Sequence, residues 1–541
     1  MIVLLLKLLG LALLLLLAAG LVIRLLNPLP PLEPRAPSRA FGDTADTPLG
    51  RGAAAAREGR GELSGIHVLD DGRDAFAARM LLARAAVRSL DVQYYIWHAD
   101  LSGTLMLEEM RAAADRGVRV RMLLDDNGIS GMDEGLAALD GHPGIEIRLF
   151  NPFVLRRPKM LGYLADFPRL NRRMHNKSFT ADNQATIIGG RNIGDEYFGA
   201  RDEGLFADLD VLAIGPVVEA VSRDFDHYWA SASAYPAARI LPAVGREQAE
   251  TIAEAAARAA REPAARDYMR AVEALPIINA FIRKDLPFRW AEVRMVSDDP
   301  AKGVGRAAPE GLLGVSLRGI LGHPKREVDL VSGYFVPTAA GVDAFTALRA
   351  GGVEVNILTN AFEATDVWLV HAGYAGRRRA LLEAGVRLFE MRGPPAGGDR
   401  RRRKLIGTGS GAGSTLGSGG GSGGSGQVLR SSASTLHAKT FAVDRERTFI
   451  GSFNFDPRSI HLNTELGFVI ESPELAGEMQ AAFAGDILER AYEVVLEPGG
   501  RLAWLERRDG GIVTHRTEPG TRAWQRGGIR LLSLLPIEWL L

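Results

Sequence analysis

Two segments of the chain repeat the same reactive residue types at the same spacing. The first segment contains His175, Lys177, Asp182, Gly189 and Asn192, and the second contains His437, Lys439, Asp444, Gly451 and Asn454. In both segments the asparagine follows the histidine by 17 residues, and the intermediate spacings agree as well. A histidine two residues before a lysine is common by chance, but five matched positions are not. The repeat therefore predicts that the two segments act together.

A further carboxylate follows each segment. The stretch ADLDVLAIGP, which contains Asp208, and the stretch TELGFVIESP, which contains Glu465, align without a gap. Each half of the chain therefore supplies one histidine, one lysine, one asparagine and one downstream carboxylate, in addition to the aspartate of the repeat. Neither half alone looks sufficient for catalysis.

These residue types suit a displacement at a phosphodiester. Its anionic phosphate repels nucleophiles, and two lysines and two asparagines that converge from the two halves would bind its oxygens without a metal. Imidazole can act as a nucleophile or as a general acid, and a carboxylate behind it fixes its tautomer and orientation. Two histidines across a shared cleft would split one displacement into two in-line steps. Water as the second reactant gives hydrolysis and an alcohol gives transfer, and neither requires a cofactor.

The composition disfavours or excludes several other classes of function. The chain has 541 residues, enough for two hydrophobic cores, and its 65 Lys and Arg residues balance 65 Asp and Glu residues. A formal net charge of zero argues against a nucleic acid as the partner. The absence of cysteine excludes disulfides, thiolate catalysis and cysteine-ligated metals.

The elements that must position the reactive residues alternate between strand and helix. Residues 72–88 place apolar side chains at helical spacing, residues 90–97 predict a buried strand, and a helix over 101–116 and two more strands follow. The same order recurs from residue 327, where EVDLVSGYFV, GVEVNILTN and GVRLFEM match the strands of the first half. We therefore expect two duplicated α/β domains, each built on a parallel sheet.

Composition and repeats divide the chain into six parts. These are an anchor (1–26), a stiff and then flexible linker (27–64), a first domain (65–242), a helical insertion or bridge (243–310), a second domain (311–500) with a flexible basic and Gly/Ser-rich loop (393–430), and a C-terminal extension (501–541).

Three segments suggest contact with a membrane. Residues 1–26 are apolar apart from Lys7 and Arg24 and are long enough to span a bilayer; a cleaved signal peptide is the alternative, although LAAGL is a poor cleavage site. The apolar C-terminus from residue 529 is too short to span, and it either docks onto the domain or dips into the interface. Five cations at 400–404 either line a solvated loop or contact anionic headgroups.

Other charged and aromatic residues have two interpretations. Several lie at strand ends, where open α/β sheets bind ligands, and either line the cleft or have a structural role: His98, Asp100, Asp125, Asp126 and Tyr334. The basic stretches 156–159 and 169–173 either form a solvated face or steer a phosphate towards the first motif.

The two HxKxxxxD motifs, each with a downstream Gly-x-x-Asn, resemble those of the phospholipase D superfamily. With the apolar N-terminus, GGRNIGDEYF at 189–198 and the terminal LPIEWLL, the sequence is most similar to the bacterial cardiolipin synthases of that superfamily. The resemblance covers residues 65–541. It implies two duplicated phospholipase D-like α/β domains, related by a pseudo-twofold axis, whose motifs meet at the interface, together with an N-terminal transmembrane helix and no metal.

The resemblance also implies roles for the motif residues. One histidine forms a phosphohistidine and the other acts as acid and then base; by analogy alone the nucleophile is assigned to His175 and the acid to His437. The candidate catalytic residues are His175, His437, Lys177, Lys439, Asp182 and Asp444, of which the two aspartates would brace the motif turns. The lysines, Asn192, Asn454 and Ser452 would bind phosphate, and Asp208 and Glu465 would orient the histidines. Gly190 stands where the second segment has Ser452.

The function that the resemblance implies is a phosphatidyltransferase of the bacterial inner (plasma) membrane that makes cardiolipin. A phosphatidyl group from phosphatidylglycerol or phosphatidylethanolamine would pass through the phosphohistidine to a phosphatidylglycerol acceptor. The alternatives are a phospholipase D that uses water and, from another class, a nuclease or other phosphodiesterase. A membrane scaffold without activity is disfavoured because both motifs are intact. The expected partners are phospholipids and the membrane, with no nucleic acid.

Overall fold

A computed structural model of the chain describes residues 2–200, 206–283, 285–365, 367–393, 435–508, 510–535 and 538. The cation run at 400–404 lies outside the described residues, as does the predicted loop at 393–430 apart from its first residue. Of the terminal LPIEWLL, only two residues are described.

The helices follow one another along the whole described chain. The α-helices are α1 (Ile2–Leu26), α2 (Pro48–Ala56), α3 (Gly72–Ala85), α4 (Leu101–Asp115), α5 (Asp133–Asp140), α6 (Gly162–Leu170), α7 (Asp195–Phe198), α8 (Pro216–Trp229), α9 (Arg246–Ala259), α10 (Pro263–Glu273), α11 (Pro276–Arg283), α12 (Leu313–Leu321), α13 (Thr338–Ala350), α14 (Trp368–Ala375), α15 (Arg378–Glu383), α16 (Pro457–His461), α17 (Pro473–Ala484), α18 (Asp486–Arg490) and α19 (Ala523–Leu532).

The strands occur in two groups, one in each half of the chain. They are β1 (Ser64–Leu69), β2 (Ser89–Ile96), β3 (Arg119–Gly128), β4 (Ile145–Phe150), β5 (Ser178–Ala181), β6 (Ala185–Gly189), β7 (Phe206–Ala207), β8 (Asp210–Ile214), β9 (Ala234–Pro236), β10 (Arg289–Ser297), β11 (Glu327–Ser332), β12 (Glu354–Asn360), β13 (Arg387–Met391), β14 (Thr435–Leu436), β15 (Lys439–Val443), β16 (Arg447–Gly451), β17 (Leu466–Glu471), β18 (Ala491–Leu496), β19 (Leu502–Arg508) and β20 (Gly511–His515).

The two halves build their sheets in the same strand order. The first half runs β1-β8-β6-β5-β2-β3-β4-β9, and the second runs β10-β17-β16-β15-β11-β12-β13-β18, with β19 and β20 added at its edge. Strands β1 and β10 pair antiparallel and join the two sheets in the middle. The predicted duplication of an α/β domain is therefore confirmed.

The predicted parallel sheet is wrong in part, because each sheet is mixed. Only β2-β3-β4 and β11-β12-β13 run parallel. After each motif the chain reverses in a tight turn whose central residues have positive φ, namely Asp182 and Asn183 (51° and 52°) and Asp444 and Arg445 (57° and 59°). Positive φ at both central positions gives a hairpin and not a crossover, so β5-β6 and β15-β16 are antiparallel.

The three parallel strands of each half are buried and pack against helices. In the first half, Val92 and Val120 share a core with Phe76 of α3 and Met106 of α4. In the second half, Leu330 and Ile357 share a core with Phe345 of α13 and Leu381 of α15. Burial on both faces explains why these strands appear in the sequence as continuous apolar runs.

The second domain begins earlier than the predicted boundary at 311. The predicted bridge, 243–310, contains α9, α10 and α11, but it ends in β10, which occupies in the second sheet the place that β1 has in the first. Most side chains of β10 are half-buried or exposed. Its sequence therefore lacks the apolar run that identified the other strands.

The linker 27–64 is ordered against the first domain, contrary to the expected flexibility of its later part. Arg35 donates to the carbonyl oxygens of Ser231 (2.7 Å) and Ala234 (3.1 Å), and the Arg119 guanidinium lies 3.8 Å from the centre of the Phe41 ring. A short helix, α2, follows. Specific contacts to distant residues thus compensate for the low apolar content of this segment.

Helix α1 is the one described helix that is long and apolar enough to cross a membrane, over Val3–Leu26. At the other end of the chain, Ile529 of α19 is buried beside Phe362 and Ala372, so the C-terminal segment docks onto the second domain. Leu531 and Leu534 remain exposed.

The turn aspartate of the first half is itself buried and binds three successive backbone N–H groups, of which that of Ser89 is fully buried. The Asp182 carboxylate accepts hydrogen bonds from the backbone N–H groups of Val87 (3.1 Å), Arg88 (2.8 Å) and Ser89 (2.9 Å) at the start of β2. Asp444 does the same for Lys325, Arg326 and Glu327, but at a more exposed position.

We expect Asp182→Ala to destabilise the first half by about 1–3 kcal/mol, because it leaves the buried N–H of Ser89 and the part-buried N–H groups of Val87 and Arg88 without an acceptor. Asp444→Ala is the matched control, and its effect should be smaller because water can reach the same groups. Apparent melting temperatures of the purified variants in one detergent give the comparison. Equal melting temperatures for the two variants would contradict this account.

Candidate active site

Each motif histidine lies in a segment that pairs with the other half of the chain. Strand β14, just before His437, pairs in parallel with β7, and Met174 forms an isolated parallel bridge with Thr464. The backbone N–H of His175 donates to Thr464 O (2.8 Å), and that of His437 donates to Ala207 O (2.8 Å). The two motifs are therefore held at one interface by matching backbone contacts.

The carboxylates that follow these contacts bind the histidines crosswise. Glu465 comes directly after Thr464, and its Oε2 lies 2.8 Å from His175 Nδ1. Asp208 comes directly after Ala207, and its Oδ2 lies 2.5 Å from His437 Nδ1. The sequence predicts one histidine-orienting carboxylate in each half, but not which histidine each carboxylate binds. The structure pairs each histidine with the carboxylate of the opposite half.

Both motif lysines are buried next to their histidines. Lys177 Nζ donates to His175 O (2.5 Å) and lies 5.4 Å from the centre of the Tyr95 ring. Lys439 Nζ lies 2.6 Å from His437 Nδ1 and 3.7 Å from Asp208 Oδ2. The cations predicted to bind phosphate are thus brought together at the interface.

The two motif asparagines differ in their hydrogen bonds. Asn192 accepts from the backbone N–H of Ile96 (3.2 Å) and donates to the Tyr197 hydroxyl (2.9 Å). Asn454 is also buried, but its Oδ1 has no hydrogen-bond partner in the described part of the chain. The two amides are therefore not equivalent: the oxygen of Asn192 is hydrogen-bonded, whereas that of Asn454 is buried without a partner among the described residues.

The difference between Gly190 and Ser452 has a structural reason. The Ser452 hydroxyl donates to Glu465 Oε2 (2.5 Å). A Cβ atom at Gly190 would lie 2.1 Å from Asp208 Oδ1, so the shorter carboxylate occupies the space that a serine would need. In this structure the Ser452 hydroxyl supports the carboxylate; its contact with phosphate stays a prediction.

The electrostatic environment keeps both histidines neutral. Burial lowers the pKa of His175 well below its usual value, and the charges of Lys177 and Lys439 lower it further. Burial and Lys439 likewise lower the pKa of His437 to about 3, although Asp208 acts in the opposite direction. Each histidine responds to the lysines of both halves, as expected for a single shared site.

The two carboxylates have opposite pKa shifts. Burial raises the pKa of Glu465 to about 7, although Lys177 and two serine hydroxyls counteract it. Burial would also raise the pKa of Asp208, but Lys439 and His437 outweigh it and lower the pKa to about 2. The pseudo-twofold site is therefore asymmetric, with one carboxylate that is always ionised and one that titrates near neutrality.

The candidate catalytic residues Asp182 and Asp444 lie away from the histidines. Each occupies the turn at the opposite end of the strand that begins beside the motif lysine, β5 or β15, and its carboxylate is bound by backbone N–H groups. Both aspartates therefore brace the motif turns, and neither contacts a histidine.

Most cations of the two basic stretches that flank the first motif are paired. Arg156 contacts Asp126 (2.5 Å) and Asp133 (2.5 Å), and Arg173 lies 3.2 Å from Asp125. The interpretation that these stretches steer phosphate is not supported, because buried carboxylates neutralise these charges. Asp125 also accepts from the backbone N–H of Met174 (2.8 Å), next to His175, so this aspartate helps to position the motif.

The strand-end residues differ in their proximity to the histidines. His98 Nδ1 lies 3.1 Å from Glu196 Oε1, and Asp100 caps α4. His98, Asp100 and Glu196 bring potential metal-ligand atoms within 4.8 Å of one another. Tyr334 lies 6.1 Å from His437 between ring centres and so lines the site.

Two aromatic residues that the motifs do not identify also contact the histidines. The Tyr95 ring lies 4.9 Å from His175 and the Tyr197 ring 5.5 Å from His437, both edge-on. Ser459 donates to Glu465 Oε1 (2.8 Å). Tyr197 belongs to the GGRNIGDEYF segment, on which the family resemblance partly rests, whereas Tyr95 lies in β2, an apolar strand without a motif.

Comparison with known proteins agrees with this architecture. The family model described as "Cardiolipin synthase, PLD-like domain" matches residues 80–229 and 422–487. The chain is 48% identical over 477 residues to cardiolipin synthase C of Escherichia coli strain K12, covering 88% of this chain and 96% of that protein. It is 30% identical over 490 residues to an uncharacterized protein of Helicobacter pylori, covering 90% and 91% of the two chains.

A solved structure shares the fold. The phosphatidylserine synthase of Haemophilus influenzae Rd KW20 superposes with a TM-score of 0.51 at 14% identity, covering 82% of this chain and 92% of that chain. At this identity the likeness concerns the fold alone.

We expect Ser452→Gly to raise the pKa of Glu465 above its value of about 7, because the serine hydroxyl donates to the charged carboxylate and stabilises it. Infrared difference spectra against pH would follow the band of the protonated carboxyl group, which Glu465→Gln identifies by its loss. Ser459→Ala should shift the band in the same direction. An unchanged titration in both serine variants would disprove the assigned hydrogen bonds.

Proposed function

Because this chain belongs to the cardiolipin synthases of the phospholipase D superfamily, we propose that it transfers a phosphatidyl group from one phospholipid to phosphatidylglycerol and so makes cardiolipin. The observation that carries the proposal is the crossed pairing of His175 with Glu465 and of His437 with Asp208. This pairing places two oriented imidazoles and two lysines in one buried site. The name of the Escherichia coli relative, a cardiolipin synthase, supports the choice of product.

In the proposed first step, His175 attacks the phosphorus atom of a bound phospholipid. Glu465, when ionised, accepts a hydrogen bond from the Nδ1–H group of His175, so that the lone pair on Nε2 is free to act as the nucleophile. A phosphorus–nitrogen bond forms as the bond to the headgroup oxygen breaks. Lys177 and Lys439 stabilise the negative charge on the phosphate oxygens.

We assign the proton for the leaving headgroup to His437. The carboxylate beside it, Asp208, has a pKa lowered to about 2 and is therefore ionised at any physiological pH. An ionised partner stabilises an imidazolium better than Glu465, whose pKa is raised to about 7. The bound phosphodiester anion offsets the charges of the lysines and so raises the pKa of His437, which then carries the proton that it donates.

In the second step the acceptor takes the place of the departed headgroup. Neutral His437 removes the proton of the acceptor hydroxyl, whose oxygen attacks phosphorus, and the bond to His175 breaks. With phosphatidylglycerol as acceptor the product is cardiolipin; with water it is phosphatidic acid. The donor in this scheme is phosphatidylglycerol or phosphatidylethanolamine, and the released headgroup alcohol is glycerol or ethanolamine.

A membrane location follows from the substrates, since both are bilayer lipids. Helix α1 supplies an apolar length of 24 residues, enough to anchor the protein in the bacterial plasma membrane. A nuclease is a poorer fit to this anchor and to the formal net charge of zero.

The roles of the two histidines are separable with an activated donor. A phosphatidyl ester of p-nitrophenol has a leaving group that needs no general acid. We expect His437→Ala to release a burst of p-nitrophenol and to retain the phosphatidyl group on His175, whereas His175→Ala releases none. Rapid-mixing absorbance and intact-protein mass spectrometry measure the burst and the adduct. A burst from His175→Ala and none from His437→Ala would reverse the assignment.

Product analysis tests the proposed reaction itself. We expect reconstituted protein with isotopically labelled phosphatidylglycerol and phosphatidylethanolamine to form labelled cardiolipin and free headgroup alcohol in equal amounts, as measured by mass spectrometry. The pattern of labels identifies the donor. Phosphatidic acid without cardiolipin would show a hydrolase instead. The double variant His175→Ala/His437→Ala is the control for background exchange.

A further inference from the structure

Three exposed apolar side chains lie between β4 and β5 of the first half. They are Met160 (62% exposed), Leu161 (41%) and Leu164 (46%), on the short 3-10 helix Lys159–Leu161 and on α6, and we call them the apolar patch. Single exposed apolar residues are ordinary in soluble proteins. Three within five residues form a contiguous apolar surface, and contiguous surfaces of this kind mark sites that contact a protein, a ligand or a membrane.

The segment that carries the apolar patch is fixed by buried ion pairs. Asp126 at the end of β3 is fully buried and accepts from the backbone N–H of Phe153 (2.7 Å), from Arg156 (2.5 Å) and from Lys159 Nζ (3.2 Å). Asp133 holds Arg156 from the other side (2.5 Å). The segment is therefore held in a defined position that keeps its apolar side chains outward.

The membrane-spanning helix packs directly beside the apolar patch. Gly20 is the one buried residue of α1 among those described, and a Cβ atom there would lie 2.4 Å from Leu164 O. Gly20 precedes the end of α1 at Leu26 by six residues, which is about 9 Å along the axis at 1.5 Å per residue. Helices that lie in the membrane interface insert to a similar depth, about 5–10 Å.

The same segment leads from the apolar patch to the histidines. Tyr163, next to Leu164, packs edge-on against Phe153 with ring centres 5.2 Å apart. The Arg173 guanidinium lies 5.5 Å from the centre of the same Phe153 ring, and Arg173 precedes His175 by two residues. A lipid headgroup that enters beside α6 would therefore arrive at the proposed nucleophile.

We propose that the apolar patch inserts into the bilayer beside α1, so that the active-site cleft opens at the headgroup level and receives phospholipids from the side. The occupant of the patch is thus the boundary between headgroups and acyl chains. Arg24 lies one helical turn after Gly20 in the last turn of α1 and supplies positive charge suited to anionic headgroups. Arg157 is 81% exposed, but it lies 3.7 Å from Glu134 Oε1, so its charge is partly offset. The inference deepens the proposed function and rests on its membrane substrates.

The absence of cysteine allows a direct test in the full-length protein. Single variants Met160→Cys and Leu164→Cys are labelled with an environment-sensitive fluorophore and reconstituted in vesicles of phosphatidylethanolamine and phosphatidylglycerol. Matched controls are Ile512→Cys (61% exposed) on β20 and Val315→Cys (44%) on α12. Nitroxide-labelled lipids report contact with the bilayer, and aqueous iodide reports contact with water.

We expect lipid nitroxide to quench the labels at 160 and 164 at least fivefold more than the control labels, and iodide to show the reverse order. Iodide quenching that is equal at all four positions would overturn the proposal. Protection from both quenchers at 160 and 164 would also overturn it, because a protein, including a second copy of this chain, would then cover the patch. These readouts need no turnover, so they are independent of the proposed reaction.

An activity measurement links the apolar patch to lipid entry. We expect Met160→Asp to lower the ratio of activity on bilayer lipid to activity on a short-chain, monomeric phosphatidylglycerol by about tenfold, and Ile512→Asp to leave the ratio unchanged. An equal ratio in both variants would contradict lateral entry. If no variant or wild-type protein transfers phosphatidyl groups, the proposed function fails while the quenching result still decides the membrane contact.

Discussion

The crossed hydrogen bonds between each histidine and the carboxylate of the opposite half are the interaction on which the active-site arrangement depends. His175 and His437 are both buried, and an imidazole in such a site needs a partner that fixes its tautomer. That partner is supplied by the other half of the chain in both cases. Neither half can therefore orient its own histidine. The pairing of β1 with β10 and the backbone contacts of residues 207 and 464 keep the two halves in the register that the crossed hydrogen bonds require.

The duplication is close in topology and unequal in chemistry. Gly190 leaves room for the short carboxylate of Asp208, which stays ionised beside Lys439, whereas Ser452 binds the longer Glu465, which burial brings near neutrality. A displacement in two steps needs a nucleophile and an acid, which are different tasks. Small substitutions around two equivalent histidines are enough to separate these tasks, because the pKa of a buried group responds strongly to one neighbouring charge or hydroxyl.

The connection between β4 and β5 joins the site to α1, the helix that we propose spans the membrane. Buried carboxylates at the end of β3 fix this connection, Asp125 near His175 and Asp126 below the apolar patch, while α1 packs against α6 through Gly20. The basic residues at 156–159 and 169–173, for which the sequence allows a solvated face or phosphate steering, are thus mostly paired within the protein, where they help to position the motif and the adjoining segment. The cations that contact the histidines are instead the two motif lysines, Lys177 and Lys439.

The sequence by itself determined the duplication, the succession of strands and helices that builds the parallel core and the residue types of the site, because apolar periodicity and repeated spacing are local properties of the chain. It could not determine that each sheet is mixed, since that depends on positive φ at Asp182 and Asp444. Nor did a continuous apolar run mark β10, most of whose side chains are half-buried or exposed. Only the tertiary structure decided which carboxylate serves which histidine, where Tyr95 lies and which cations are neutralised. Those relations join residues up to 290 positions apart, and no local pattern encodes a contact over that separation.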